Sequence, residues 1–217
     1  MNLEEIRAVC SDPQRFAEHV QKKLSAHTPQ TFTYRPQERG IPAAVLFPFY
    51  FKDGQPYLLF TKRTELVEHH KGQISLPGGQ QDPQDADLLE TALREVEEEI
   101  GLKAQDVQIL GQTDRMLTNT RYCVTPFVGF FHYPYSFKIS RNEIAYLIEV
   151  PFLHLLQEEH YETKIVSGQG VRWVLHYYYF NDEVIWGVTG FLLSNFLSIV
   201  FDFKRNRFLA QEAASHV

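Results

Sequence analysis

Residues 78–102, GGQQDPQDADLLETALREVEEEIGL, constrain this chain more than any other stretch. A glycine pair leads through a short acidic loop into a helix crowded with carboxylates. Glu95, Glu98 and Glu99 stand at i, i+3 and i+4, a spacing that puts side chains on one helical face. Like charges stacked this way repel by a few tenths of a kcal/mol per pair in water. A folded chain avoids that cost unless a cation sits between them. The spacing therefore predicts a divalent-metal platform beside a loop that can approach phosphate. The plain alternative, a solvated acidic face, fits an isolated EVEEE string. Here the glycine loop upstream and the Gly101 stop signal downstream argue against it.

At about 100° per residue, Leu89, Leu93, Val96 and Ile100 form a narrow apolar stripe predicted to face a core. Glu95, Glu98 and Glu99 gather on one flank of it, with the small Ala92 beside them. Glu90, Arg94 and Glu97 fall towards the other, where Arg94 can pair with Glu90, Glu97 or Glu98.

The 217 residues suffice for one domain with its own core. The formal net charge is −6 and no dense Lys/Arg stripe is present, which argues against nucleic acid held by its phosphates. A small anionic substrate stays acceptable, because bound metal ions invert the local sign of an acidic site. Cys10 and Cys123 are too few and too far apart for a disulfide framework or zinc site. The opening MNLEEIRAVC lacks the pattern of a signal peptide, and the terminal Ser215-His216-Val217 is not the Ser-Lys-Leu peroxisomal address, so a cytoplasmic protein is expected. Residues 184–201 carry no charge, but Gly187, Thr189, Gly190, Ser194, Asn195 and Ser198 interrupt them. That leaves a helix of about 14 residues, nearer a buried core helix than a bilayer span.

Along the chain, residues 1–38 read as a helical N-terminal extension, with Asp12-Pro13 as a helix start and Phe16, Val20 and Leu24 repeating at spacing 4. The main domain is expected over 39–205 and a tail over 206–217. Within the domain, 43–51 is strand-like, Asp53-Gly54 is a hairpin signal, and 57–63 is the return strand. Further β-rich runs lie near 107–117 and 122–132, a strand at 143–150, a short helix at 151–156 and an aromatic strand at 171–180. Strands divided by one mid-chain helix and closed by another predict an α+β fold, a mixed sheet between helices.

The segment Arg94-Glu95-Val96-Glu97-Glu98-Glu99-Ile100-Gly101-Leu102, preceded by the glycine pair, resembles the signature of the Nudix hydrolases. The first half departs from that signature. The usual glutamate position holds Ala86, flanked by Asp85 and Asp87, and the loop from Gly79 is one residue longer. Leu58-Leu59-Phe60-Thr61-Lys62-Arg63-Thr64, and His70-Lys71-Gly72-Gln73-Ile74-Ser75-Leu76-Pro77-Gly78-Gly79, are similar to the extra signature of the coenzyme A pyrophosphatase branch. So are Asp82-Pro83 in the loop, Val124-Thr125-Pro126-Phe127-Val128-Gly129, and Ile185-Trp186-Gly187-Val188-Thr189. Glu68 stands where that branch commonly has an arginine.

The resemblance implies a Nudix-type α/β/α sandwich and a metal-dependent pyrophosphohydrolase. Its expected substrate is coenzyme A or acyl-CoA, cleaved to 3′,5′-ADP and (acyl) 4′-phosphopantetheine. Diphosphate hydrolysis needs an aligned water and positive charge on the equatorial oxygens, and Mg²⁺ or Mn²⁺ takes oxygen ligands. The expected metal-binding residues are Glu95, Glu98, Glu99 and, through its backbone, Gly79. The expected catalytic group comprises Glu98, Arg94 and Glu143, the last as general base by analogy with relatives that use a glutamate outside the signature. Lys62, Arg63, His70, Gln73 and Gly78 are the substrate-binding candidates, with surface or turn roles as their plain alternatives. The functional alternatives are a Nudix enzyme for ADP-ribose, NADH or a dinucleotide, and a non-catalytic nucleotide-sensing domain. No membrane partner is expected, and a homodimer is compatible with the sequence without being dictated by it.

Overall fold

In a computed structural model of the chain, residues 1–33, 40–65, 72–168 and 171–203 are described. Helix α1 (Leu3–Val9) starts with an Asn2 capping box. In α2 (Pro13–Ser25), Asp12 caps the helix, Pro13 fills its first turn, and Phe16, Val20 and Leu24 are buried. A short strand β1 (Thr31–Thr33) follows.

Strands β2 (Ile41–Lys52) and β3 (Gln55–Arg63) form the hairpin that the Asp53-Gly54 pair predicts. Both turn residues have positive φ, 52° and 74°, as a two-residue hairpin turn matching strand twist requires. The hairpin strands pair only near the turn, from Phe49↔Leu58 to Lys52↔Gln55, and then diverge. Into the wedge go β4 (Ile74–Ser75), which pairs with β3, and β5 (Gly78–Gln80), which pairs with β2. The Leu46 N–H bonds to the Pro77 carbonyl, and the Arg63 N–H to that of Gln73, closing the wedge from both sides. This splay is what brings the glycine loop into the middle of the fold.

Helix α3 (Leu88–Ile100) comes next, then β6 (Val107–Gln112), β7 (Arg115–Leu117), β8 (Tyr122–Phe131) and β9 (Ile144–Pro151). The run near 107–117 is thus two strands, both antiparallel to β8, with a bend at Thr113-Asp114. β8 runs parallel to β2, β1 parallel to β7, and β9 antiparallel to β3, so the nine-stranded sheet is mixed. Residues 152–156 form a 3₁₀ segment. A strand the sequence reading passed over, β10 (Tyr161–Gly168), joins β11 (Val171–Phe180) and β12 (Glu183–Ile185) in a separate antiparallel sheet. Helix α4 (Gly187–Phe201) ends the described chain.

Strand alternation builds the layers. In β2, Leu46 and Tyr50 join Leu59, Val96, Ile100 and Phe131 under α3. Phe47 and Phe49 face the other way, packing with Phe16, Phe152, Phe196 and Phe201 of the α2 and α4 side. Helices on both sides of a mixed sheet give the expected α+β sandwich. α4 is buried almost all round, which accounts for its apolar composition without a bilayer. No helix among the described residues is long and apolar enough to cross a membrane.

Candidate active site

The rotation of α3 is set by its ends. The Asp87 carboxylate accepts the Glu90 N–H at 2.9 Å as N-cap, and Gly101 closes the helix in the left-handed region at φ 73°. Between them Thr91, Ala92, Val96, Glu99 and Ile100 are buried. The inward face is therefore turned from the predicted stripe. Leu89 and Leu93 are only half-buried, and with Ala104 they line an outer groove of about 640 Å³. The reason is the wedge: β5 crosses α3 and draws Glu95 and Glu99 beneath it.

Glycine is what lets the loop come that close. Gly78 has φ 148°, and a Cβ there would stand 2.2 Å from the Ala44 carbonyl oxygen. At Gly79 a Cβ would meet the Glu95 carboxyl carbon at 2.4 Å. The Gly78 N–H donates to Glu99 Oε2 at 3.2 Å. Thus the two glycines lie directly against the two inner carboxylates.

Glu99 is only 2% exposed. Burial pushes its carboxyl up to about 8, against the opposing pull of Arg63 and the Gly78 N–H, while Glu95 and Glu143 push it further. Arg63 Nη1 stands 3.6 Å from Glu99 Oε1, and the buried Arg63 Nε meets no hydrogen-bond partner among the described residues. Glu95 is also raised, chiefly by burial, with Arg94 opposing and Glu98 and Glu143 adding to the rise. Glu98 is the outermost of the three, its side chain 58% exposed.

Arg94 ties this group together. Its Nε and Nη2 make a two-pronged contact with Asp85 at 2.8 and 3.0 Å, Nη2 also donates to the Gln80 carbonyl, and Nη1 reaches Glu95 at 2.9 Å and Glu98 at 3.1 Å. Of the partners expected from the helical wheel only Glu98 is engaged; the Glu90 carboxylate instead accepts the Ala86 N–H. The guanidinium holds the Asp85 carboxyl well below the usual range. Asp85 also accepts from the Thr91 hydroxyl and the Asp82 N–H. Sequence reasoning missed this residue, although the two aspartates flanking Ala86 were its signal: Asp87 caps the helix and Asp85 takes the arginine.

Glu143 lies in the turn just before β9 and is exposed. Its loop is fastened to the carboxylate helix and to β3: the Ser140 N–H bonds to the Glu99 carbonyl at 2.8 Å, and the Thr64 N–H to the Glu143 carbonyl at 2.9 Å. Its charge is felt at both Glu95 and Glu99. Lys62, a substrate-binding candidate, is engaged in an ion pair: its Nζ is 2.6 Å from Glu183 of β12, which Tyr146 also engages. Gln73 contributes its carbonyl to Arg63, and its side chain is half-buried. His70 lies outside the described residues, as does Glu68.

Among the described residues no three carboxylate, imidazole or thiolate groups already converge as a metal site, and Arg94 holds Glu95 and Glu98. The donor chemistry nevertheless fits a hard divalent cation. It is all oxygen, and Glu99 is buried against one guanidinium at 3.6 Å and one N–H, leaving acceptor capacity unmet.

Comparison with known proteins agrees with this geometry. The family model described as NUDIX domain matches residues 40–136. A protein of Photorhabdus laumondii named "Uncharacterized Nudix hydrolase NudL" is 37% identical over 151 residues, covering 70% of this chain and 80% of that protein. Its namesake in Yersinia enterocolitica is 36% identical, over 70% and 77%. A crystal structure of a MutT/nudix family protein from Enterococcus faecalis superposes with a TM-score of 0.51 at 14% identity, covering 86% of this chain and 69% of that one, a likeness of fold. A glycine loop pressed onto a carboxylate helix, in a chain matched over most of its relatives' length, has one reading: the protein belongs to the Nudix hydrolase family.

Proposed function

We propose that this Nudix hydrolase is a metal-dependent pyrophosphohydrolase of coenzyme A or acyl-CoA, releasing 3′,5′-ADP and (acyl) 4′-phosphopantetheine. The observation that carries the hydrolytic site is Glu99, a buried, under-satisfied carboxylate under the Gly78 N–H with Glu95 beside it on Gly79. The substrate choice is supported by the branch-like segments around residues 58–79, 124–129 and 185–189.

Nudix hydrolases generally use divalent ions such as Mg²⁺ or Mn²⁺. Bound here, such an ion would supply positive charge to the diphosphate and a more acidic water. Glu95, Glu98, Glu99 and the Gly79 backbone would hold it. Arg94, saturated by Asp85, Glu95 and Glu98, acts as a positioning residue that fixes the outer carboxylates. Glu143 is the candidate base: it faces the same site yet stays exposed to water. Arg63, whose Nε has no hydrogen-bond partner among the described residues, suits a substrate oxygen.

The test is incubation of purified protein with coenzyme A and Mg²⁺ or Mn²⁺, with products identified by mass spectrometry. Formation of 3′,5′-ADP is the expected result. Cleavage of ADP-ribose, NADH or a dinucleotide with coenzyme A left intact would reject the substrate and keep the enzyme class. Absence of turnover on any diphosphate, with retained nucleotide binding, would point to a sensing domain.

A further inference from the structure

The second sheet ends in an open edge. β10 pairs with β11 on one side, and no strand among the described residues pairs with its other side. Successive side chains of a strand alternate between two faces. Tyr161, Thr163 and Ile165 stand opposite Tyr178, His176 and Val174, all three buried, and so lie on the core face. Glu162 and Lys164 lie on the outer face, opposite Tyr177 and Leu175. Ile165 is nonetheless 54% exposed, more than any other large apolar side chain among the described residues. Core-facing yet open, it has the exposure of a side chain whose lateral neighbour would come from one more strand.

An edge strand is a template for another chain, and a lysine on it is a usual deterrent. Here the lysine has a counterpart on the same face. Lys164 Nζ is 3.7 Å from Glu162 Oε2 and 4.8 Å from the centre of the Tyr177 ring, and the Glu162 carboxylate accepts the Tyr179 hydroxyl at 2.7 Å. Both charged side chains remain open, at 53% and 47%. Two copies of β10 paired antiparallel about a two-fold axis meet residue against residue, each pair sharing a face. A register centred on Thr163 sets each Glu162 against Lys164 of the second copy, Thr163 against itself, and Tyr161 against the open Ile165. Opposite charges, threonine pairs and aromatic–β-branched pairs are all combinations that stabilise a ladder. Centring on Glu162 or Lys164 instead sets like charges face to face, and centring on Ile165 leaves both charges against uncharged residues.

We propose that the outer edge of β10 is a homodimer interface, joining the three-stranded sheets of two copies into one continuous sheet in the register centred on Thr163. The occupant is a second copy because the charge pattern of the strand is complementary to its own reverse. With a net charge of −6, two copies repel in general, so association needs a local match of this kind. The ladder from Tyr161 to Ile165 is short, which makes the dimer a concentration-dependent one. The interface does not depend on which diphosphate is the substrate.

Sedimentation velocity of the full chain over a concentration series tests this, and a monomer–dimer equilibrium is the expected result. Lys164→Glu and Glu162→Lys each turn both central ion pairs into like-charge pairs. Either should raise the dissociation constant by about tenfold to a hundredfold. An equimolar mixture of the two variants restores both ion pairs across the axis and should associate nearly as well as the wild type. The double variant with both exchanges should do the same. Rescue by mixing also controls for folding, because an unfolded variant would not pair with its counterpart. In hydrogen exchange, the amides of β10 should gain protection as wild-type concentration rises. A monomer at every concentration would overturn the proposal. So would a dimer indifferent to both single variants, or losses that neither the mixture nor the double variant restores.

Discussion

Two buried carboxylates, Glu99 at 2% exposure and Asp114 at 4%, have opposite surroundings. Asp114 lies at the bend between β6 and β7. It accepts the Gln30 N–H at 2.8 Å and the Asn195 side-chain amide at 2.9 Å, and pairs with His27 Nε2 at 2.6 Å. Those donors come from α4 and from the segment joining α2 to β1, so Asp114 locks the helical layer to the sheet. Among the described residues Glu99 has one N–H at 3.2 Å, one guanidinium at 3.6 Å and two further carboxylates pressing on it. Burial is common to both; satisfaction is not. A buried charge with its acceptors filled builds structure, whereas one left under-coordinated among like charges is poised for a ligand.

Substitutions should separate the two. Glu99→Gln should cost roughly a hundredfold or more in turnover, on the scale of lost ligand and electrostatic contacts, while circular dichroism stays native-like and the urea midpoint does not fall. If it turned over at the wild-type rate, the contrast would be broken. Asp114→Ala should do the reverse, losing about 3–5 kcal/mol of stability by orphaning the buried Asn195 amide, the half-buried His27 ring and the Gln30 N–H. Its activity per folded molecule should persist, as urea titration paired with specific activity would show.

The pH response sharpens the comparison. Without metal, the folded Glu99 carboxyl titrates near 8 against an ordinary 4.5, so between those values the native state holds a proton that the unfolded chain has released. Its contribution to stability is complete below about 4.5 and is lost as pH rises through about 8. Metal-free protein should therefore lose up to about 2 kcal/mol between pH 6 and 8 from this group, and Glu99→Gln should flatten that part of the profile. A profile unchanged by the substitution would remove Glu99 as its source. The smallest effect expected is at Asp85→Asn, which frees Arg94 on one side. A loss of about tenfold in kcat, typical of a supporting contact, should leave Km and fold intact; no change would mean that Gln80, Glu95 and Glu98 alone hold the guanidinium.

Much of the site was legible because it is local. The i, i+3, i+4 spacing, the Gly101 stop and the Asp53-Gly54 turn each depend on a few adjacent residues, and the stop and the turn have the expected geometry. Less legible was anything needing a distant partner. The apolar stripe of α3 was misjudged at Leu89 and Leu93, since the crossing of β5 turns Glu95 and Glu99 inward. Lys62 reads as a free cation until Glu183, far along the chain, comes beside it. β10 escaped notice because Glu162, Thr163 and Lys164 lack an apolar run; cross-strand pairing with β11 makes the strand.

By itself the order of residues determined a carboxylate helix of known stop, a glycine pair ahead of it, and strands enough for a mixed sheet between helices. These follow from backbone preferences and side-chain periodicity, which act over one or two turns. Tertiary structure alone decided that the β2–β3 hairpin splays, that the glycines enter the gap, that Asp85 takes Arg94 as its partner, and that Glu99 is buried with few partners among the described residues. Those outcomes depend on which surfaces meet across the sheet, and desolvation and ion pairing take their strength from that meeting.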